Sequence, residues 1–361
     1  MRGADISRTA LFVNFSTSSL VPEDHPLRPI REMVNQALKE LSPEFNRHYS
    51  MMGRRSIPPE QIFRALIIQV LYSIRSERLL MEQIRYNMLF RWFIGLSVDQ
   101  PVWHHSVYST HRDDILSADV TGQFFAQIRE RAKEAKLLSD EHFTVDGTLL
   151  EAWASLKSVH PKDQEPPPPG PGRNGWHDFK GEKRTNETHA SVTDSESRLY
   201  TKSKGQAAKP SYMGHVLMEN RNGLIQDIRV TQADGYAERE AALSMAAEVA
   251  KPKKRGKDIT IGADKGYDAT DFLVAMLGLR ILPHVAAKND GSLAAAFTRH
   301  NGYAVSQKVR KRVEEIFGWM KTVGPMKKLK HRTKEKVGSI FRLTAAAYNL
   351  VRMRNLGIAA V

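Results

Sequence analysis

The stretch Val309–Lys321, VRKRVEEIFGWMK, places two adjacent carboxylates, Glu314 and Glu315, in the most basic part of the sequence. At about 100° per residue its apolar side chains share one face, which predicts an amphipathic helix. The same geometry puts Arg310, Glu314 and Lys321 along one edge of that face and Glu315 on the solvent side. Glu314 then has two interpretations. It pairs with Arg310 for about 0.3 kcal/mol, or it is a metal-binding carboxylate flanked by phosphate-binding cations, which requires further carboxylates elsewhere.

Positive charge is concentrated around this stretch. The 361 residues include 54 Lys and Arg and 40 Asp and Glu, for a net charge of +14 and a pI near 9.8. Between Arg299 and Arg354 there are 15 Lys and Arg but only three Glu, an excess of 12 positive charges. Such a balance indicates a polyanionic partner, either nucleic acid or an anionic membrane surface. Its concentration around a candidate site favours nucleic acid.

Composition narrows the class of protein further. There is no cysteine, which excludes disulfides and Cys-ligated zinc and fits a reducing compartment. No apolar run reaches the roughly 18 residues that span a bilayer, and the N-terminus lacks a signal-peptide core. We therefore expect a soluble cytoplasmic protein with no membrane partner. Its length suggests two domains.

The first part of the chain has helical periodicity. Helices are predicted over Ile30–Leu41, from Pro59 through an almost wholly apolar run, over residues 77–94 and over Ser106–Ile115. In the third of these helices Arg78, Arg85 and Arg91 are predicted to face outward, and Gly95 is predicted to end it. These patterns predict an all-α domain over residues 1–135. Short helices with outward arginines are compatible with a helix-turn-helix DNA module, although most helical bundles of this size do not read DNA.

From residue 136 onward strands alternate with helices. The run HFTVD predicts a strand that delivers Asp146 just before Gly147, and ITIGAD predicts a second strand whose last residue is Asp264. A hairpin is predicted at Asn222-Gly223. Residues 155–192, rich in Pro, Gly and charge, are predicted to form a flexible excursion. The order of elements predicts an α/β domain with a mixed sheet flanked by helices over residues 136–361.

Two of these strands end in a carboxylate. An isolated Asp-Gly most often marks a turn, but open α/β sheets bind ligands at the carboxyl ends of their strands. If the two strands are neighbours, Asp146 and Asp264 converge, and Glu314 on a packed helix completes an all-oxygen site suited to Mg²⁺ or Mn²⁺. Two such ions about 4 Å apart activate the attacking oxygen and stabilise the leaving oxygen of a phosphodiester. Nearby cations would hold DNA phosphates.

These residues together resemble a known family. Asp146 in HFTVDG, Asp264 in IGADKGYD and Glu314 in an Arg-x3-Glu-x6-Lys arrangement are similar to the bacterial insertion-sequence transposases of the DDE class. The segments SERLLMEQIRYNMLFRWFIGL and VWHHSVYSTHRDDI resemble the helical domain of the InsH-like subgroup, as does the terminal LTAAAYNLVRMRNLG. One position departs from the pattern: Gln307 stands where the family often has a tyrosine.

The resemblance implies an RNase H-like catalytic domain preceded by an all-α DNA-binding domain. It implies binding to terminal inverted repeats and target DNA, followed by metal-dependent strand cleavage and transfer. It also implies a homodimer or larger assembly in the active complex, and a location in the bacterial cytoplasm in association with the nucleoid. Asp146, Asp264 and Glu314 correspond to the metal-binding triad, which would hold two Mg²⁺ or Mn²⁺ ions. The expected DNA-binding cations are Arg310, Lys321, Lys288, Lys327, Lys328, Lys330 and Arg332. Two alternatives stay open: a catalytically inactive DNA-binding protein derived from such an enzyme, and a metal-dependent nuclease without strand transfer.

Overall fold

A computed structural model describes residues 16–48, 56–117, 119–163, 184–201, 207–251 and 259–357. The N-terminal part is helical. Its helices are α1 (Leu27–Glu40), α2 (Ser42–His48), α3 (Pro59–Leu71), α4 (Glu77–Tyr86), α5 (Met88–Ile94), α6 (His105–Ser117) and α7 (Val120–Glu134). The prediction of an all-α N-terminal region is therefore confirmed. Among the described residues, no helix combines the length and apolar character needed to cross a membrane.

Local signals explain where these helices begin and end. Pro59 is the first residue of α3, where its missing N–H costs no hydrogen bond. Ser76 accepts from the backbone N–H of Leu79 and starts α4, and Asn87 caps α5. Gly95 ends α5 with φ of 91°, in the left-handed region that favours glycine. The single helix predicted over residues 77–94 is thus divided at Asn87, because its side chain satisfies the first amides of a new helix.

Arg91 does not face outward as predicted. Its side chain is 3% exposed, and its guanidinium donates to the backbone carbonyls of Ser97 and Gln100, with the Nε–Ser97 O distance at 3.1 Å. The guanidinium therefore holds the loop that follows α5 against the helices. The break at Asn87 turns α5 relative to α4, which a continuous helical periodicity does not anticipate.

The second part of the chain is built on a mixed sheet. Its strands are β1 (His142–Glu151), β4 (Arg198–Tyr200), β5 (Lys209–Glu219), β6 (Ile225–Gln232), β7 (Ile259–Ala263) and β8 (Ile281–Val285), while β2 (Val159–Pro161) and β3 (His189–Ser191) form a separate pair. The sheet runs β6-β5-β1-β7-β8, with β4 beside the start of β5. Strand β5 is antiparallel to β1 and β6, whereas β1, β7 and β8 are parallel. The predicted hairpin at Asn222-Gly223 is present, and Gly223 has φ of 72°.

Two sequence predictions about this region need correction. Strand β1 continues to Glu151, so Asp146-Gly147 lies inside a strand and not at its end or in a turn. The continuation is possible because β5 pairs with every residue of β1 from Phe143 to Glu151. The ends of the excursion at 155–192 are ordered as the antiparallel pair β2–β3; its central residues 164–183 lie outside the described residues.

Helices cover both faces of the sheet. They are α8 (Ala237–Ala250), α9 (Thr270–Gly278), α10 (Tyr303–Arg310), α11 (Arg312–Thr322) and α12 (Lys334–Asn355). Phe143 and Val145 of β1 share one core with side chains of α8 and α9. The next core side chain of β1 on the opposite face, Leu150, belongs to a second core with α11, α12 and the N-terminal helices. This mixed sheet flanked by helices confirms the predicted α/β class and is the arrangement expected of an RNase H-like domain.

The last helix joins the two parts of the chain. Helix α12 packs against β6 and also against α3, α6 and α7. Side chains from all these elements form one hydrophobic cluster. The predicted boundary near residue 135 therefore marks a change in secondary structure, while the apolar core is continuous across it.

Candidate active site

The first two predicted acids lie side by side on the sheet. The parallel ladder of β1 and β7 ends with the pair Thr144 and Gly262, and Asp146 and Asp264 each follow two residues later. Alternation along the strands puts both carboxylates on the face that carries α10 and α11. That face is identified by Thr148, two residues beyond Asp146, whose Oγ1 lies 2.6 Å from the Lys321 Nζ of α11.

Backbone amides orient both carboxylates. The N–H of Gly147 donates to Asp146 Oδ1 over 2.8 Å, and the N–H of Gly266 donates to Asp264 Oδ1 over 2.7 Å. The pKa of Asp146 is raised to about 7, chiefly by burial and also by the negative charges of Asp264 and Glu238, although the Gly147 amide and the charge of Arg310 act in the opposite direction. Asp146 is therefore a half-buried carboxyl surrounded by other acids.

Glu238 is a member of this cluster that the sequence interpretation missed. It lies in the first turn of α8, on the opposite side of Gly147 from α11. A Cβ on Gly147 would lie 2.7 Å from Glu238 Oε1. Burial raises the pKa of Glu238, and so does the charge of Asp264. An acid in a first helical turn normally indicates a favourable interaction with the helix dipole, so only the tertiary contact with β1 distinguishes Glu238.

The glutamate helix differs in detail from the prediction. The helical stretch is interrupted at Lys311, so that Arg310 ends α10 and Glu314 lies in the first turn of α11. The described residues contain no ion pair between Arg310 and Glu314, which excludes the predicted i,i+4 pairing in this structure. Arg310 instead lies within electrostatic reach of Asp146. Glu314 and Glu315 are both exposed.

The predicted triad is thus only partly assembled. Asp146 and Asp264 are together, while no described hydrogen bond or ion pair joins Glu314 to either of them. Within the described ranges, no three acidic or histidine side chains are arranged as a metal-binding group. The donor set nevertheless fits a hard divalent cation, because it consists of carboxylate oxygens whose mutual repulsion a cation would relieve.

Several predicted DNA-binding cations already have partners. Lys321 donates to Thr148, Lys328 contacts Glu151 over 2.9 Å, and Lys288 Nζ donates to the Asp268 carbonyl over 2.8 Å. Burial lowers the pKa of Lys330.

The remaining two, Lys327 and Arg332, have exposed side chains. The position where the family often has tyrosine, Gln307, donates from Nε2 to the backbone carbonyl of His284 in β8. Gln307 therefore fixes α10 to the sheet beside the acids.

Comparison with known proteins identifies two regions of the chain. Residues 15–114 match the family model described as a transposase domain (DUF772), and residues 176–350 match the transposase DDE domain. The second match contains Asp264 and Glu314 and begins after Asp146. No curated protein matches the chain significantly.

Solved transposase structures show weak similarity to the chain. A piggyBac transposase synaptic complex with hairpin DNA is 11% identical, with 96% of this chain and 79% of that chain covered and a TM-score of 0.42. A pre-cleavage Mos1 transpososome is 10% identical, with 88% and 87% covered and a TM-score of 0.22. Because these scores are low, the identification depends on the two family matches. The chain is a DNA transposase in which a DUF772 transposase domain precedes a transposase DDE domain.

Proposed function

We propose that this transposase binds the terminal inverted repeats of an insertion sequence, cleaves DNA there and transfers the 3′ ends to target DNA. Asp146, Asp264 and Glu314 would bind two Mg²⁺ or Mn²⁺ ions. The observation that supports this best is the position of Asp146 and Asp264, two residues beyond the last β1–β7 pair, beneath the basic segment that contains α10 and α11. Carboxylates and phosphate-binding cations then meet where a metal ion and a polyanion are both needed.

The residues of this chain prepare the site in distinct ways. The bound cations would supply activation of the attacking oxygen and stabilisation of the leaving oxygen. The Gly147 and Gly266 amides hold the two aspartates in place. Arg310, at the end of α10, keeps a positive charge near Asp146. Glu314 is exposed on α11, and in this proposal it would join the aspartates when metal and DNA bind.

DNA binding would depend on the basic surface of residues 299–354. The exposed Lys327 and Arg332 are available for phosphate directly, whereas Lys321 and Lys328 would exchange their present contacts for phosphate oxygens. Each phosphate neutralised releases counterions, so affinity should fall steeply with salt. Joining two ends in one reaction requires two DNA ends in one complex, and we therefore infer a homodimer or larger assembly in the active state.

Metal-dependent nicking of supercoiled plasmid tests the catalytic proposal. Asp146→Asn and Asp264→Asn should abolish Mg²⁺-dependent nicking, because each removes a negatively charged metal ligand. Asp271→Asn is the matched control, since Asp271 is an exposed acid in the first turn of α9. If both site variants nick as fast as the control, the protein is not a catalyst that uses these residues.

Strand transfer needs a separate assay. The natural substrate should be the DNA that flanks the coding region, because matching inverted repeats there would be the binding sites. A pre-cleaved end taken from that DNA should be joined to target plasmid. Hydrolysis without any joined product would instead indicate a metal-dependent nuclease.

A further inference from the structure

We propose that Glu238 is a fourth carboxylate of this active site and that it binds a divalent cation together with Asp146 and Asp264. The inference depends on the proposed metal-dependent function and adds a residue to it. It assigns a chemical role to the first turn of α8, on the side of β1 opposite α11.

Gly147 provides the space that Glu238 occupies. A Cβ at position 147 would lie 3.0 Å from Glu238 Cγ and 2.7 Å from its Oε1, and the second distance is closer than a Cβ comes to another atom in proteins. Gly147 is paired with His215 in regular strand geometry, and its φ is not positive. Its backbone would therefore accept any residue, and the reason for glycine here is the approach of Glu238 to the strand beside Asp146.

Glu238 has no structural task that would explain this approach. The amides at the start of α8 are already bonded to Asp234, whose Oδ1 accepts from the N–H groups of Tyr236 and Ala237 over 2.8 and 2.7 Å. Within the described part of the chain no hydrogen bond or ion pair involves the Glu238 carboxylate. After burial, the charge of Asp264 has the largest effect on the pKa of Glu238, and this effect is larger than that of the adjacent Arg239.

A buried tyrosine gives an independent indication. Tyr267 is 1% exposed, yet its hydroxyl has no hydrogen-bond partner among the described residues. Burial raises the pKa of Tyr267 well above the ordinary value, and the negative charges of Glu238, Asp146 and Asp264 act in the same direction. A buried O–H without a partner costs about 1–3 kcal/mol. The Tyr267 hydroxyl would gain a carboxylate oxygen as acceptor if a cation drew the three carboxylates together.

The chemical class of the ligand follows from the donors. The carboxylates of Asp146, Asp264 and Glu238 lie within electrostatic range of one another, and the charge of Asp264 raises the pKa of both Asp146 and Glu238. A divalent cation that prefers oxygen would draw the three carboxylates together and remove that repulsion. Two cations carry four positive charges, so a fourth acid beside Asp146, Asp264 and Glu314 would balance the charge of a two-metal site. Glu238 supplies that acid from α8, independently of Glu314 on α11.

Metal binding to the full-length protein tests this inference without measuring activity. Mn²⁺ binding would be followed by the loss of the free-ion EPR signal for wild type, Glu238→Gln and Glu240→Gln. Glu240 is the matched control because it is an exposed acid in the same first turn. Glu238→Gln should weaken binding roughly tenfold or more, or remove one bound ion, whereas Glu240→Gln should match wild type.

Two further variants keep the outcome decisive. Gly147→Ala leaves Glu238 in the chain but displaces its flexible carboxylate, so it should reproduce the loss of Mn²⁺ affinity at little cost in stability. If Glu238→Gln and Gly147→Ala both bind Mn²⁺ like the control while Asp146→Asn does not, the fourth carboxylate is refuted and the proposed function stands. If Asp146→Asn also binds normally, the metal site itself is wrong.

Discussion

Asn349 of α12 offers a quantitative test of how the last helix is attached to the sheet. Its side chain is fully buried and makes two hydrogen bonds to one residue of β6: its Oδ1 accepts from the Ile225 N–H over 2.9 Å, and its Nδ2 donates to the Ile225 carbonyl over 2.9 Å. Asn349 thus satisfies both backbone groups of Ile225 as a neighbouring strand would. Replacement by leucine keeps the number and branching of the side-chain heavy atoms and removes both bonds.

The expected cost follows from the groups left behind. Asn349→Leu leaves one buried N–H and one buried C=O without partners, and each costs about 1–3 kcal/mol. The free energy of unfolding should therefore fall by roughly 2–6 kcal/mol. Tyr348→Phe is the matched control on the same helix: it removes a half-buried hydroxyl whose contact with the Gly223 carbonyl is long, at 3.4 Å, and should cost no more than about 0.5 kcal/mol.

Urea unfolding measured by far-UV circular dichroism and by tryptophan fluorescence checks the values, provided that the two transitions coincide. The midpoint of Asn349→Leu should move clearly below that of Tyr348→Phe. Equal midpoints would refute the reasoning, because they would mean that Ile225 finds other partners when the amide is lost. Since α12 also packs against the N-terminal helices, a loosened α12 should make those helices more sensitive to proteolysis as well.

Three other outcomes are expected. Glu314→Gln should lower Mg²⁺-dependent cleavage at least about 100-fold, whereas Glu315→Gln should be nearly silent; the reverse result in a plasmid-nicking assay would show that the two acids are wrongly assigned. Arg91→Met should lower the free energy of unfolding by roughly 2–4 kcal/mol, measured by thermal or urea unfolding, because it leaves the carbonyls bound by the guanidinium without donors. Burial lowers the pKa of His284 from 6.5 to about 4, so the unfolded chain binds a proton there that the folded protein does not, and this one group should lower stability by roughly 1–2 kcal/mol from pH 7 to pH 5. His284→Asn should show a shallower pH dependence in the same unfolding measurement, and an unchanged slope would contradict the assignment.

Much of the fold was predictable because local signals and periodicity agree with the tertiary structure. Pro59, Ser76 and Gly95 begin or end helices by short-range geometry. The Asn222-Gly223 turn pairs β5 with β6 as its sequence predicts. Asn87 and Lys311 were the exceptions, since a break within a continuous apolar pattern changes the direction of a helix without changing its periodicity.

The candidate site was predictable in part. Asp146 and Asp264 were found because each follows a short apolar run, and parallel pairing of those runs brings the two side chains together. Pairing of β1 with β5 was not expected to extend past Asp146, and it places Gly147 within a strand. No local signal marks Glu238, because an acid in the first turn of a helix is common for reasons unrelated to catalysis.

The sequence by itself determined the class of the domains, the two aspartates and the basic character of the surface around them, since these depend on residue type and on spacing within single elements. Only the tertiary structure decided which acids meet. It brought Glu238 to Gly147 from α8, left Glu314 exposed on α11 and placed Arg310 within electrostatic range of Asp146. The physical reason is that electrostatic and steric contacts between elements depend on how helices pack on the sheet, and that packing is set by side chains far from the site in sequence.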